Sequence, residues 1–183
     1  MERRGSRGGS RGRILMGISR LALIVLIAAA FAACGGSPKP APPPVIYHIG
    51  QPVQVGSLVL TVNSVTYPPP TAYDTPDPGK KFLGVNVTIQ NRGTENQVIF
   101  SRDVMFVKDS QGREYVEDPT ATMVAGPAPP DGNPYPGKDL SGTAGYQIAD
   151  DATGLRLIFD TTIMNQKFLV GGPQGNEVVV ALQ

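Results

Sequence analysis

Phe82-Leu83-Gly84-Val85-Asn86-Val87-Thr88-Ile89-Gln90 alternates apolar and polar residues almost without a break, and the fold is decided there. In an extended chain successive side chains point to opposite faces, so Leu83, Val85, Val87 and Ile89 share one face and Gly84, Asn86, Thr88 and Gln90 the other. A helix would scatter the same residues around its axis and leave no apolar stripe. The segment therefore reads as a half-buried strand. Asn91-Arg92-Gly93 follows it with residues that tolerate positive φ, which a reversal often requires.

The same period of two recurs on both sides. Upstream, Pro52 to Val55 is a short strand, and Leu58, Leu60 and Val62 oppose Val59, Thr61 and Asn63. After Asn63-Ser64 the phase shifts, with Val65 and Tyr67 apolar, so a bulge is expected there. Downstream, Val98 to Phe100 and Val104 to Lys108 read as strands, and Asp109-Ser110-Gln111-Gly112 turns the chain into Arg113 to Val116 as a hairpin. Leu140 to Ile148, Leu155 to Phe159 and Glu177 to Leu182 complete the set. No stretch after Val45 sustains apolar spacing of three and four, so helix should be nearly absent. Eight or nine short strands in one domain imply an all-β antiparallel sandwich, and the uneven connections disfavour a closed barrel.

Composition narrows the function classes. The 183 residues include 22 Gly and 18 Pro, about a fifth of the chain, which is loop-rich yet below the level of unstructured low-complexity sequence. A single Cys excludes an internal disulfide framework and a thiolate zinc cage. The net charge of +1 hides an asymmetry: residues 1 to 33 carry six Arg and one Glu, and the remainder carries ten basic and fourteen acidic side chains. An acidic main part without a basic cluster argues against nucleic acid as a partner.

Arg3, Arg4, Arg7, Arg11, Arg13 and Arg20 precede an apolar run from Leu21 to Ala33, the anatomy of a secretory signal. That run is 13 residues long, shorter than the roughly 20 a bilayer-crossing helix needs. Its end, Phe31-Ala32-Ala33-Cys34-Gly35-Gly36, resembles the lipobox of bacterial lipoproteins, with Phe31 where Leu is usual. The resemblance implies that Cys34 is linked to diacylglycerol and becomes the N-terminus, anchoring the protein on the extracytoplasmic face of the cell membrane. Ala30-Phe31-Ala32 also fits the small-x-small rule of the ordinary signal peptidase, and a cut there would yield a secreted protein. Gly35 to Pro44 reads GGSPKPAPPP and should form an extended stalk of roughly 30 Å. The expected organisation is a leader over 1–33, the lipidated Cys and linker over 34–45, and the sandwich over 46–183.

The order Ile49-Gly50-Gln51-Pro52-Val53, Gly79-Lys80-Lys81-Phe82-Leu83-Gly84, Asp109-Ser110-Gln111-Gly112-Arg113 and Ala152-Thr153-Gly154-Leu155 resembles the uncharacterised immunoglobulin-like domain of bacterial lipoproteins, related to a secreted immunoprotective antigen of mycobacteria. The resemblance covers roughly residues 46 to 160. It implies an immunoglobulin-like β-sandwich at the cell surface and brings no catalytic residue with it. This chain departs from the pattern by a long insertion from Asp118 to Asp139, where the family often passes quickly to a Pro-Gly before the next strand; here that pair is Pro136-Gly137.

Few residues offer chemistry. His48 is the only histidine and no G-x-S-x-G or similar element accompanies it, so an enzyme is not expected. The acidic residues are scattered without a D-x-D-x-D-G run, so neither a calcium site nor any cofactor is expected. Asp109 and Asp150-Asp151 read as turn residues. Pro68 to Lys80 and Asp118 to Lys138 exceed the usual loop length and carry Tyr73, Asp74, Asp77, Asp131 and Tyr135, the candidate contacts with an unidentified envelope or extracellular protein. The expected function is non-enzymatic binding through these loops; the alternative is an assembly factor acting through sheet edges. Counting reversals puts both loops, and the stalk, at one end of the sandwich, with Tyr73 and Tyr135 as neighbours.

Overall fold

The computed structural model describes residues 45–126, 128–162 and 177–183. The leader, Cys34 and the linker to Pro44 lie outside the described residues. One sheet contains β2 (Val53–Val55), β3 (Leu58–Thr66), β4 (Lys80–Asn91) and β7 (Asp139–Ala149), in the order β2-β3-β4-β7 and antiparallel throughout. The other contains β1 (Ile46–His48), β5 (Met105–Lys108), β6 (Glu114–Val116), β8 (Arg156–Asp160) and β9 (Glu177–Ala181), in the order β1-β9-β8-β5-β6. The chain is thus an all-β sandwich.

Alternation places the core as expected. Leu83, Val85, Val87 and Ile89 are all fully buried, and they pack with Leu60, Val62, Met105, Val107, Leu157 and Phe159. The bulge also falls where the phase breaks, with the register shifting between Val62 and Ser64 so that Val65 pairs with Val85. The Asp109–Gly112 reversal joins β5 to β6 as an antiparallel hairpin.

Three features depart from the sequence reading. First, β1 pairs with β9 in parallel. No hairpin links these two strands, since β1 is followed by β2 in the opposite sheet, so connectivity leaves their relative direction free. Second, Val98 to Phe100 is not a strand: Ile99 makes a single bridge to Gly132, and the chain then turns through a short helix α1 (Ser101–Val104) into β5. Third, the insertion holds a helix, α2 (Pro119–Ala125). Asp118 caps it by accepting from the Ala121 N–H at 2.8 Å, and Pro119 occupies the first turn, where its missing N–H costs nothing.

Helix α2 lies on the outer face of the β4–β7 pair. Gly84 and Gly145 are Cα partners across these strands. A Cβ at Gly145 would stand 2.1 Å from the Thr122 nitrogen, and one at Gly84 would stand 2.7 Å from the Ala125 Cβ. Only glycine admits the helix at this separation, which is why Gly84 is buried although it faces away from the core.

The insertion also closes the free edge of β7. Asp118 N–H donates to the Gly145 carbonyl at 2.9 Å, Gly145 N–H to the Thr122 hydroxyl at 2.9 Å, and Thr143 N–H to the Ala128 carbonyl at 2.8 Å. The other edge strands, β1, β2 and β6, have three residues each and offer little template for pairing.

Candidate functional site

Where the insertion leaves the edge of β7 it faces α1, and a cleft of about 510 Å³ opens between them. Ser101 opens α1 and is fully buried beneath it. Its hydroxyl contacts Glu117 Oε2 at 2.5 Å and Asp131 Oδ1 at 2.7 Å, and its N–H donates to the same Asp131 oxygen at 2.6 Å. The Thr122 hydroxyl donates to Glu117 Oε1 at 3.2 Å. Two carboxylates, Glu117 just before the insertion and Asp131 within it, are thereby pinned to one point of the sandwich. Arg102, on the next position of α1, lines the same cleft and makes no ion pair with either carboxylate. Pro119, Met123 and Pro129 supply an apolar wall, with Met123 67% exposed.

Behind the cleft, β7 places Tyr146 inside the sandwich, where it is fully buried and its hydroxyl has no hydrogen-bond partner among the described residues. Burial first, and then the charge of Glu117, hold this phenol well above its usual pKa, so it stays neutral.

Of the candidate contacts read from the sequence, only Asp131 reaches this cleft. Tyr73 is 96% exposed in a loop closed on itself, where Asp74 and Thr71 exchange hydrogen bonds. Asp77 pairs with Lys80 at 2.8 Å and lines a smaller cavity of about 200 Å³ with Glu114 and Gln147. Tyr135 is exposed beside the far end of β4, where Asn91 N–H donates to the Lys138 carbonyl and Gly137 N–H to the Asn91 carbonyl. The Tyr73 loop instead precedes Lys80, at the beginning of β4. The two tyrosines therefore sit at opposite ends of the sandwich, contrary to the shared surface expected from counting reversals. The count failed because Val98 to Phe100 does not traverse the sheet.

Ser101, Arg102, Glu117 and Met123 were not legible as site residues. The available signal was Asp118-Pro119, a capping residue followed by proline, which marks a helix start and hence an ordered insertion.

His48 is exposed at the end of β1, where its backbone N–H donates to the Gln51 side-chain carbonyl and its own carbonyl accepts from the Gln51 N–H. Asp109 locks the β5–β6 hairpin, accepting from Arg113 Nε at 2.6 Å, the Tyr115 hydroxyl at 2.8 Å and the N–H groups of Gln111 and Arg113. Burial would raise its pKa, but these donors outweigh that and lower it to about 2. Asp150 and Asp151 form a turn, with Asp151 2.9 Å from Arg113. Among the described residues no three His, Cys, Asp or Glu side chains converge as a metal site would need, and no helix is long and apolar enough to cross a membrane.

The fold recurs in solved structures. A candidate lipoprotein, ycdA, from Bacillus subtilis is 14% identical with a TM-score of 0.53, over 70% of this chain and 37% of its own length. The chain thus spans well under half of that protein. The yjhA protein of Bacillus subtilis is 17% identical with a TM-score of 0.53, over 75% of this chain and 100% of its own. A secreted protein of Mycobacterium tuberculosis, MPT63, is 10% identical with a TM-score of 0.49, over 77% of this chain and 99% of its own. No curated protein matches the sequence. Residues 47–168, which contain the cleft and all strands from β2 to β8, match a family model described as a domain of unknown function, and the chain belongs to that family, DUF4352.

Proposed function

We propose that the protein is a lipid-anchored, extracytoplasmic binding module without enzymatic activity, and that it binds through the cleft between α1 and the insertion. The cleft carries the reading: it combines two pinned carboxylates, a guanidinium without an ion pair among the described residues and an apolar wall on a sandwich. The leader, the Cys34 context and the Pro-rich tract support the anchored location, and one structural neighbour is itself a candidate lipoprotein. Assembly through sheet edges has less support, because the insertion occupies the edge of β7 and the other edge strands are short.

Two measurements test the proposal. A photo-crosslinking residue at position 123 should trap a ligand in living cells while the same residue at position 73 does not; equal yields would remove the cleft from consideration. Intact-mass analysis of the membrane fraction should find a mature chain beginning at acylated Cys34, and a chain beginning at Ala33 with a free thiol would refute anchoring.

A further inference from the structure

We infer that the cleft takes a small zwitterion, an amino acid or dipeptide with a free ammonium, a free carboxylate and an apolar side chain. This rests on the reading of the cleft as the binding site and adds the class of ligand. The charges in the cleft are opposite in sign and kept apart. Both Glu117 and Asp131 are tied to Ser101, and Glu117 also to Thr122, while Arg102 makes no ion pair among the described residues. The two carboxylates, held in place by these bonds, can meet a ligand without reorganising.

Proton accounting sharpens the assignment of the ammonium. The Ser101 hydroxyl owns one proton, yet a carboxylate oxygen stands on each side of it, at 2.5 and 2.7 Å. Ionised carboxylates only accept, so the hydroxyl serves one of them while the Ser101 N–H meets the Asp131 oxygen, and the lone pairs left on both groups can take further donors. An ammonium group brings three donors and would form charge-assisted bonds with the two carboxylates. The ligand's carboxylate then falls to Arg102, whose planar fork suits it. Met123, Pro119 and Pro129 face the side chain between them, and a methionine adapts to apolar groups of different shape. A cleft of about 510 Å³ lies within the range of small-ligand sites.

Equilibrium dialysis of the full chain in detergent, with radiolabelled leucyl-alanine as probe, decides the matter. The free dipeptide should be retained, and capping either its amine as the acetyl form or its carboxyl as the amide should weaken retention by about tenfold or more, one hydrogen-bonded charge each. Arg102→Gln, an exposed change that leaves the fold intact by thermal melting, should abolish discrimination against the amide and keep discrimination against the acetyl form. Equal retention of all three probes would overturn the inference, as would loss of binding on one cap alone. No retention of the dipeptide at roughly 10 mM, with crosslinking at position 123 still present, would refute the ligand class and leave the cleft standing. Absence of both would refute the cleft as well.

Discussion

Tyr146 buries its whole side chain and leaves its hydroxyl without a partner among the described residues, so the residue contributes packing and costs desolvation at once. Replacing a buried tyrosine by phenylalanine usually destabilises because a hydrogen bond is lost. Here none is lost, and Tyr146→Phe should raise stability by about 1 kcal/mol, which a urea melt would detect. A fall in the midpoint would show that the hydroxyl has a partner in solution. Asp109 gives the complementary case of a buried polar group fully supplied with donors. Its pKa is lowered from 3.8 to about 2, so between these values the unfolded state binds more protons than the folded one. Stability from this group is therefore complete above about pH 4 and is lost as pH falls through about 2. Asp109→Asn should melt lower at neutral pH and show a shallower decline between pH 4 and 2; parallel curves for the two proteins would overturn the assignment. The hairpin role of Asp109 was legible in Asp109-Ser110-Gln111-Gly112. The orphaned hydroxyl of Tyr146 was not, because alternation reports which face a side chain takes and says nothing of what its far end meets.

At the scale of elements, the period of two located strands wherever one face is core and the other is not. Val87 is fully buried and Thr88 faces outward with its hydroxyl against Asn63 and Ser141. Val87→Asp should cost several kcal/mol and unfold the domain, while Thr88→Asp should shift the melting temperature by only a few degrees. Similar shifts would refute the register. Helix α2 escaped the reading because seven residues show no sustained period and because an outward-facing glycine looks like any solvent position. Gly84 and Gly145 acquire their meaning only once the strands are paired and the helix is laid across them. Gly145→Ala sets a methyl against the backbone of Ala121 and Thr122, so the helix must lift and the bonds to β7 must break. The expected loss is about 3 kcal/mol, with new protease cleavage between residues 118 and 131 in the native state. Wild-type resistance to protease in that variant would show that the helix rides free of the sheet.

The whole molecule turns on a count of traverses, and one misread segment reversed the result. With Val98 to Phe100 as a strand, the two long loops share an end; with a single Ile99–Gly132 bridge and the α1 turn in its place, they do not. Strand patterns cannot settle this, since three alternating residues look alike whether they cross a sheet or skirt its end. In the structure β4 spans 12 residues between the Tyr73 loop and the Tyr135 loop, about 37 Å at 3.4 Å per residue. β1 runs parallel to β9 from the end where Glu177 pairs with Asp160, and Phe159 pairs with Met105 just after α1, so the chain enters the sandwich at the Tyr135 end. Spin labels at residues 73 and 135 should give a distance near 40 Å, the strand length plus the reach of the two loops. A distance under about 20 Å would mean that the loops fold back over the sheet, and the cleft would then no longer be separate from them.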